Sequence, residues 1–262
     1  MKKLSVAQQK GGVGKSTLTV HLAHAAVEAG LRVLLLDMDA QANLGLSFPA
    51  HEAVPGALRA SALFGAEPTE ATPEVLAYRD GHASFAIIRA DIGLVDLDGV
   101  KGSSHEFLRR PGLALRRFAK DYDLCLIDTP PSLGVLLMSS LAASDFVVTP
   151  VVMGLFELDG LAELVRTIQV ARAGGLNPRL RHVGLLPMKH NTRSKDQLAH
   201  LAELRAQYGA AILPEELPER EPVKQAIARR LPVWAKARGA GHIKAAKEWR
   251  AACQSILGRL NK

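Results

Sequence analysis

The chain has only two cysteines in 262 residues. Cys125 and Cys253 stand far apart and form no Cys-x-x-Cys or Cys/His cluster, which argues against a disulfide framework and against an iron–sulfur or zinc centre. Both read as buried thiols. No apolar run reaches the roughly 18 residues of a membrane span, and the opening MKKLSVAQQKGG arrives at a glycine cluster before a signal-peptide core could form. Internal repeats and an interdomain linker are lacking too. With 48% hydrophobic and 23% charged residues the composition is that of a folded globular chain, and the sequence predicts one cytoplasmic domain over 1–262. Acids are scarce in one place. Residues 222–262 hold ten Lys/Arg against a single acid, Glu248, a charge of +9, while the other 221 residues total −2. A basic segment on a nearly neutral body points to a polyanion partner, either nucleic acid or an anionic membrane surface.

Short apolar runs alternate with helix-length amphipathic stretches along most of the chain, the pattern of an α/β fold with a mostly parallel twisted sheet and helices on both faces. Strands are predicted over 4–7, 32–36, 92–96, 124–128, 146–151, 182–186 and 211–213, and helices over 16–29, 105–119, 133–143, 159–173, 194–208, 222–229 and 243–260. Continuous Val/Ile/Leu runs fit strands covered on both faces. Segment 45–90, rich in Pro, Ala and Glu, is the least regular.

The strongest motif is QKGGVGKST at residues 9–17, between the first strand and the first helix. Against GxxxxGK[ST] it matches Gly14, Lys15 and Ser16, with Gln9 where the first glycine should stand. The physics is still met, because three glycines let successive N–H groups and a helix N-terminus wrap an anion. Gly11, Gly12, Val13, Gly14, Lys15, Ser16 and Thr17 are therefore the candidate nucleotide loop. Lys15 would bridge the β- and γ-phosphates, and the Ser16 hydroxyl would reach Mg²⁺. VLLLDMDAQ at 33–41 places Asp37 and Asp39 at the carboxyl end of a buried strand, where ligands of parallel sheets sit. One of them can hold a metal shell or a loop while the other orients water. LCLIDTPPSLG at 124–134 adds Asp128 as the metal-side carboxylate, followed by a Pro-rich loop suited to changing shape with the γ-phosphate.

Together these residues resemble the ParA/MinD group of P-loop ATPases, whose phosphate loop reads KGGxGK[ST], and within it the small ParA partition proteins. The first motif, LLLDMDAQANL, the 122–134 stretch and TPVVMGLFELDGLAELV at 149–165 fall in that group's order and spacing. The resemblance implies an ATPase that uses ATP and Mg²⁺, with Lys10 as the signature lysine reaching the partner's nucleotide across a homodimer. Asp39 would orient the hydrolytic water, and Asp128 would be the Walker B carboxylate. Ala40 replaces the group's usual Pro, which loosens the first switch loop. The stretch from Leu213-Pro214 to Pro232-Val233 resembles the adenine-side loop. A phosphate loop that starts at residue 10 leaves no room for a preceding helix-turn-helix domain, so operator-specific binding is not expected.

In ParA-like proteins basic residues near the C-terminus bind DNA without sequence preference once the ATP dimer forms, and a ParB-like centromere-binding partner stimulates hydrolysis. The candidates here are Arg229, Arg230, Lys236, Arg238, Lys244 and Lys247, with nucleoid association as the consequence. The alternatives are a MinD-like membrane helix built on Trp249, Ile256, Leu257 and Leu260, or positioning of a protein cargo. Packing of Trp249 on the core is the commoner use of such a stripe. An iron-protein reading finds neither cysteine placed to bridge a cluster. A small-molecule synthetase or kinase leaves the basic segment unexplained. His21 and His24 on the first helix read as surface or core residues rather than ligands.

Overall fold

In the computed structural model of the protein, described for residues 1–48, 54–67, 69–78, 83–100, 102–153 and 157–261, the chain runs through β1 (Lys2–Val6), α1 (Lys15–Glu28), β2 (Val33–Asp37), α2 (Asn43–Leu46), β3 (Glu74–Tyr78), β4 (Ala83–Ile88), α3 (Gly93–Asp98) and α4 (His105–Ala114). It continues through β5 (Leu124–Asp128), α5 (Val135–Ala143), β6 (Phe146–Val152), α6 (Glu157–Ala173), β7 (Arg181–Met188), α7 (Lys195–Tyr208), α8 (Glu221–Ala228) and α9 (Ala240–Arg259). The strands form one seven-stranded sheet in the order β3-β4-β2-β5-β1-β6-β7, parallel except for the β3–β4 pair at one edge.

Alternation along the strands sorts their side chains into two cores. Leu4, Val33, Leu35, Leu124, Leu126 and Val148 face α1 and α9, where Leu18, Leu22, Trp249 and Ile256 meet them. Leu34, Leu36, Cys125, Ile127 and Val147 face the other way, against Leu108, Leu136, Leu141 and Ile168 of α4, α5 and α6. Both cysteines are buried, and His21 and His24 are core residues of α1.

Two expected strands are absent. Residues 92–96 lie in and beside the short helix α3, because Ile92 and Val95 are 82% and 53% exposed and only Leu94 is buried. The strand beside β2 is Phe85–Ala86–Ile87–Ile88 just upstream, inside the segment that reads as least regular. Residues 211–213 leave a 3₁₀ turn (Gly209–Ala211) and touch β7 through a single bridge, Leu185 to Ile212, before Pro214; a proline has no N–H with which to extend a ladder. The expected helix over 105–119 tightens into 3₁₀ geometry at Leu115–Phe118. The one over 133–143 starts at Val135, since Gly134 is extended.

α4 and α5 approach closely at Gly112, where a Cβ would sit 2.9 Å from the Ala143 Cα. Gly112→Val is expected to cost about 1–3 kcal/mol through overpacking, read as a lower urea midpoint with an unchanged m-value.

Candidate functional site

β1, β2 and β5 end level with one another: Val6 pairs with Asp128, and Asp37 pairs with Asp128 on the other side. The 8–14 loop leaves this edge. The Gln8 side chain donates to the Pro150 carbonyl (3.2 Å), and Gly12 and Gly14 take φ of 75° and 101°, which an L side chain rarely adopts. Gly14 is doubly constrained, since a Cβ there would lie 3.2 Å from the Met188 Cε. α1 begins at Lys15 without a side-chain cap and without an acid in its first turn, leaving its first N–H groups directed at the loop. The result is a cradle for an anion.

Lys15 is 7% exposed, and its Nζ donates to the Lys10 carbonyl at 3.3 Å. Burial lowers its pKa, opposed by the charges of Asp128 and Asp39. Lys10 is exposed on the loop, and Ser16 and Thr17 are half-buried in the first turn of α1. Asp128 is fully buried and, among the described residues, neither carboxylate oxygen has a hydrogen-bond partner. Burial pushes it up to about 8, with Asp37 adding to the rise and the Ser16 hydroxyl and Lys15 opposing it. An orphaned carboxylate beside a serine hydroxyl, at the foot of an anion cradle, fits a hydrated hard cation.

Asp37 differs from its neighbour. Its two oxygens accept from the Asp39 amide (3.2 Å) and the Gly45 amide (3.1 Å), and burial holds it up at about 7. Its carboxylate is spent on the loop rather than turned to the cradle. Asp39, 8% exposed, accepts from the Gln41 amide at 3.0 Å. The same loop is gripped from its other side by Arg89, which donates to the Gly45 carbonyl (2.8 Å) and pairs with buried Glu74 through two bonds of 2.8 and 2.9 Å. Asp98 of α3 likewise accepts from the Ser132 hydroxyl (2.8 Å), holding the loop after β5.

Beside Thr17 a cavity of about 300 Å³ opens between the end of β7 and α8, lined by Met188, Leu217, Pro218, Val223 and Ile227. It lies within the stretch expected to form the adenine side. Lys189, with φ of 53°, crosses its mouth, and its Nζ donates to the Gly12 carbonyl. A larger cavity of about 440 Å³, between the Ser61–Phe64 turn and α4, does not include any residue of the phosphate loop. Sequence reasoning missed Glu74, Arg89, Asp98 and Lys189. Only Lys189 carried a signal, its place just beyond an apolar strand at the ligand-bearing end of the sheet.

The AAA domain family matches residues 1–182. Protein IncC of Escherichia coli is 35% identical over 261 residues, covering 99% of this chain and 70% of IncC. The chromosome-partitioning ATPase Soj of Thermus thermophilus is 34% identical over 227 residues, covering 83% of this chain and 81% of Soj. The chain belongs to the ParA/MinD family of P-loop ATPases. A crystal structure of cobyrinic acid a,c-diamide synthase from Mycobacterium smegmatis with ADP and magnesium superposes with a TM-score of 0.79 at 25% identity, covering 100% of this chain and 96% of that one.

Four of the six basic candidates lie between α8 and α9, and Lys244 and Lys247 lie on α9. Arg229, Arg230, Lys236, Arg238, Lys244 and Lys247 are all exposed, and among the described residues none of the six makes an ion pair. The apolar stripe of α9 is not at the surface: Trp249, Ile256 and Leu260 are 3%, 0% and 5% exposed, packed on the core. Among the described residues no helix is long and apolar enough to cross a membrane. Of the 149–165 stretch, residues 154–156 lie outside the described residues.

A carboxyl group whose pKa rises on folding binds a proton that the unfolded chain has lost, so its contribution to stability falls as pH rises from 3.8 towards about 8. Asp128→Asn should therefore stabilise the nucleotide-free protein by an amount that grows over that window, measured as the difference in urea midpoint from wild type. A difference independent of pH would show that Asp128 is ionised throughout.

Proposed function

We propose that this protein is an ATP-driven switch for DNA segregation. Two chains close over two nucleotides, the dimer binds DNA without sequence preference, and hydrolysis releases it. The observation that carries the DNA reading is the set of six exposed Lys and Arg residues between 229 and 247 that make no ion pair among the described residues. Phosphate contacts of this kind give salt-sensitive affinity, and a dimer presents two such surfaces. The partition role named for Soj supports the same reading.

At the nucleotide, the backbone of Gly11 to Gly14 and the first turn of α1 receive the phosphates, with Lys15 on the β- and γ-phosphates and Thr17 supporting the neighbouring one. The apolar cavity beside Thr17 receives the base. Mg²⁺ would be held by the Ser16 hydroxyl and, through water, by Asp128, and supplies positive charge against the triphosphate. Asp37 acts indirectly, keeping the 39–45 loop in register so that Asp39 can orient the attacking water. Lys10 reaches the partner's nucleotide. Loss of the γ-phosphate frees the loops held by Asp37, Arg89 and Asp98 and lets the dimer part. A ParB-like protein stimulates this step, and the cycling protein stays in the cytoplasm on the nucleoid. The buried stripe of α9 disfavours a membrane anchor.

Co-sedimentation with random-sequence DNA under ATP, ADP or no nucleotide tests the switch, with anionic liposomes in parallel. ATP-dependent pelleting with DNA that weakens steeply with salt is expected; binding to liposomes alone would refute the DNA reading. Combined Arg229→Glu and Arg230→Glu should reduce DNA binding by about tenfold or more and leave ATP binding intact. Asp39→Ala should bind ATP yet hydrolyse it at least about a hundredfold more slowly, so that the protein accumulates as a DNA-bound dimer. Normal turnover in a steady-state phosphate-release assay would remove Asp39 from its role.

A further inference from the structure

The basic segment between α8 and α9 is bolted to α1, the helix whose first turn is the phosphate loop. Val233 lies at the centre of that joint and is fully buried. Its N–H donates to the His21 Nε2 at 3.1 Å, and its carbonyl accepts from the His242 Nε2 at 2.7 Å. The other nitrogen of His21, Nδ1, lies 2.7 Å from the Thr17 carbonyl, which can only accept. One neutral tautomer therefore satisfies both of its contacts, Nδ1–H to Thr17 and a bare Nε2 to Val233. Burial lowers the His21 pKa to about 4, in keeping with that neutral form. The Nδ1 of His242 faces the Arg238 amide at 3.4 Å. An unbroken line of hydrogen bonds thus runs from Thr17, which lines the cavity beside the phosphate loop, through two imidazoles to Arg238.

The joint has little slack. His21 is fully buried, with its ring 4.2 Å from that of Trp249 and edge-on to Trp234 at 5.5 Å. Seven residues along α1, Glu28 accepts from the Trp234 indole N–H (2.7 Å) and pairs with Arg250 (3.2 Å), whose guanidinium lies over the Trp234 ring. Two of the exposed cations, Arg230 and Lys236, sit at φ of 56° and 54°, a left-handed conformation that non-glycine residues keep only where the surroundings impose it. The segment is thus held in a fixed shape by α1 at two places.

We propose that His21 and His242 clamp Val233 so as to couple the nucleotide loop to the basic segment 229–239, which makes them positioning residues for its polyanion-binding state. The proposal rests on the reading of that segment as the nucleic-acid surface. Closure of the phosphate loop on a nucleotide fixes Thr17, Thr17 fixes His21, and the two imidazoles hold the peptide groups of the segment in register with it. Without the clamp the two sites still exist, but one no longer reports on the other.

His242 is half-buried, is not one of the six exposed cations and takes no part in the nucleotide site, so its substitution is the practical test. His242→Leu keeps the bulk and loses the bond to the Val233 carbonyl, whereas His242→Gln keeps a donor there. His242→Leu is expected to bind ATP as wild type does while losing about tenfold in ATP-stimulated DNA affinity, and His242→Gln should restore most of it. The fully buried alternative, His21→Phe, should match His242→Leu. Hydrogen exchange of the 229–239 amides with and without ATP provides a readout independent of DNA. Protection should rise on ATP binding in wild type and in His242→Gln, and stay flat in His242→Leu. If wild type binds no DNA but the exchange pattern holds, the reading of the surface fails and the clamp stands. No ATP response at these amides in wild type, an equal response in His242→Leu, or parallel loss of ATP binding would overturn the clamp.

Discussion

The structure turns on an acid that its own protein leaves unsatisfied. Asp128 is drawn to the level of Val6 and Asp37 by the register of three parallel strands, and at that depth neither of its oxygens finds a hydrogen bond among the described residues. Asp37, one strand away, is equally buried but accepts from two backbone amides. Burying charge without a partner is costly, so such a carboxylate either holds a proton or waits for a cation. Lys15, buried at the start of α1, offsets part of that cost, and a hydrated divalent ion bound with the phosphates would offset the rest. The glycines, the uncapped helix start and the serine hydroxyl are arranged round this one need.

Around that centre, the segments that respond to a ligand are each tethered by one or two side-chain bonds. Asp37 and Arg89 hold Gly45 by its amide and its carbonyl, Asp98 holds Ser132, and Lys189 holds Gly12. Hydrogen bonds to charged groups such as these are worth about 1.5–3 kcal/mol each, within what a bound triphosphate can redirect. The opposite holds for the joint between α1 and the basic segment, where buried rings and fully paired imidazoles make a stiff link. Loose tethers at the phosphates and a stiff rod behind them are what a binding-driven switch needs.

Much of this was legible in the sequence because the signals were local. QKGGVGKST carries its own geometry, and the strands ending at Asp37 and Asp128 are continuous apolar runs that can only be buried. Boundaries of the long helices followed from the same logic. The β3–β4 hairpin was not legible, since its Pro- and Ala-rich surroundings hide Phe85 to Ile88, while the equally apolar Ile92 and Val95 turned out to face solvent. Glu74 and Arg89 became a pair only through that hairpin, and His21 acquired a role only when residues more than 200 positions away were folded against it. Contacts of long sequence separation leave no local trace.

The central claim is that burial without a partner disfavours the charged form of Asp128 until a cation and a triphosphate arrive. Isothermal titration of MgATP into the protein near neutral pH, in two buffers of different ionisation enthalpy, counts the protons exchanged. With Asp128 raised to about 8, binding should release a proton in wild type, and the release should fall in Asp128→Asn. Binding of MgATP with no exchange of protons, or with the same release in both proteins, would contradict the account.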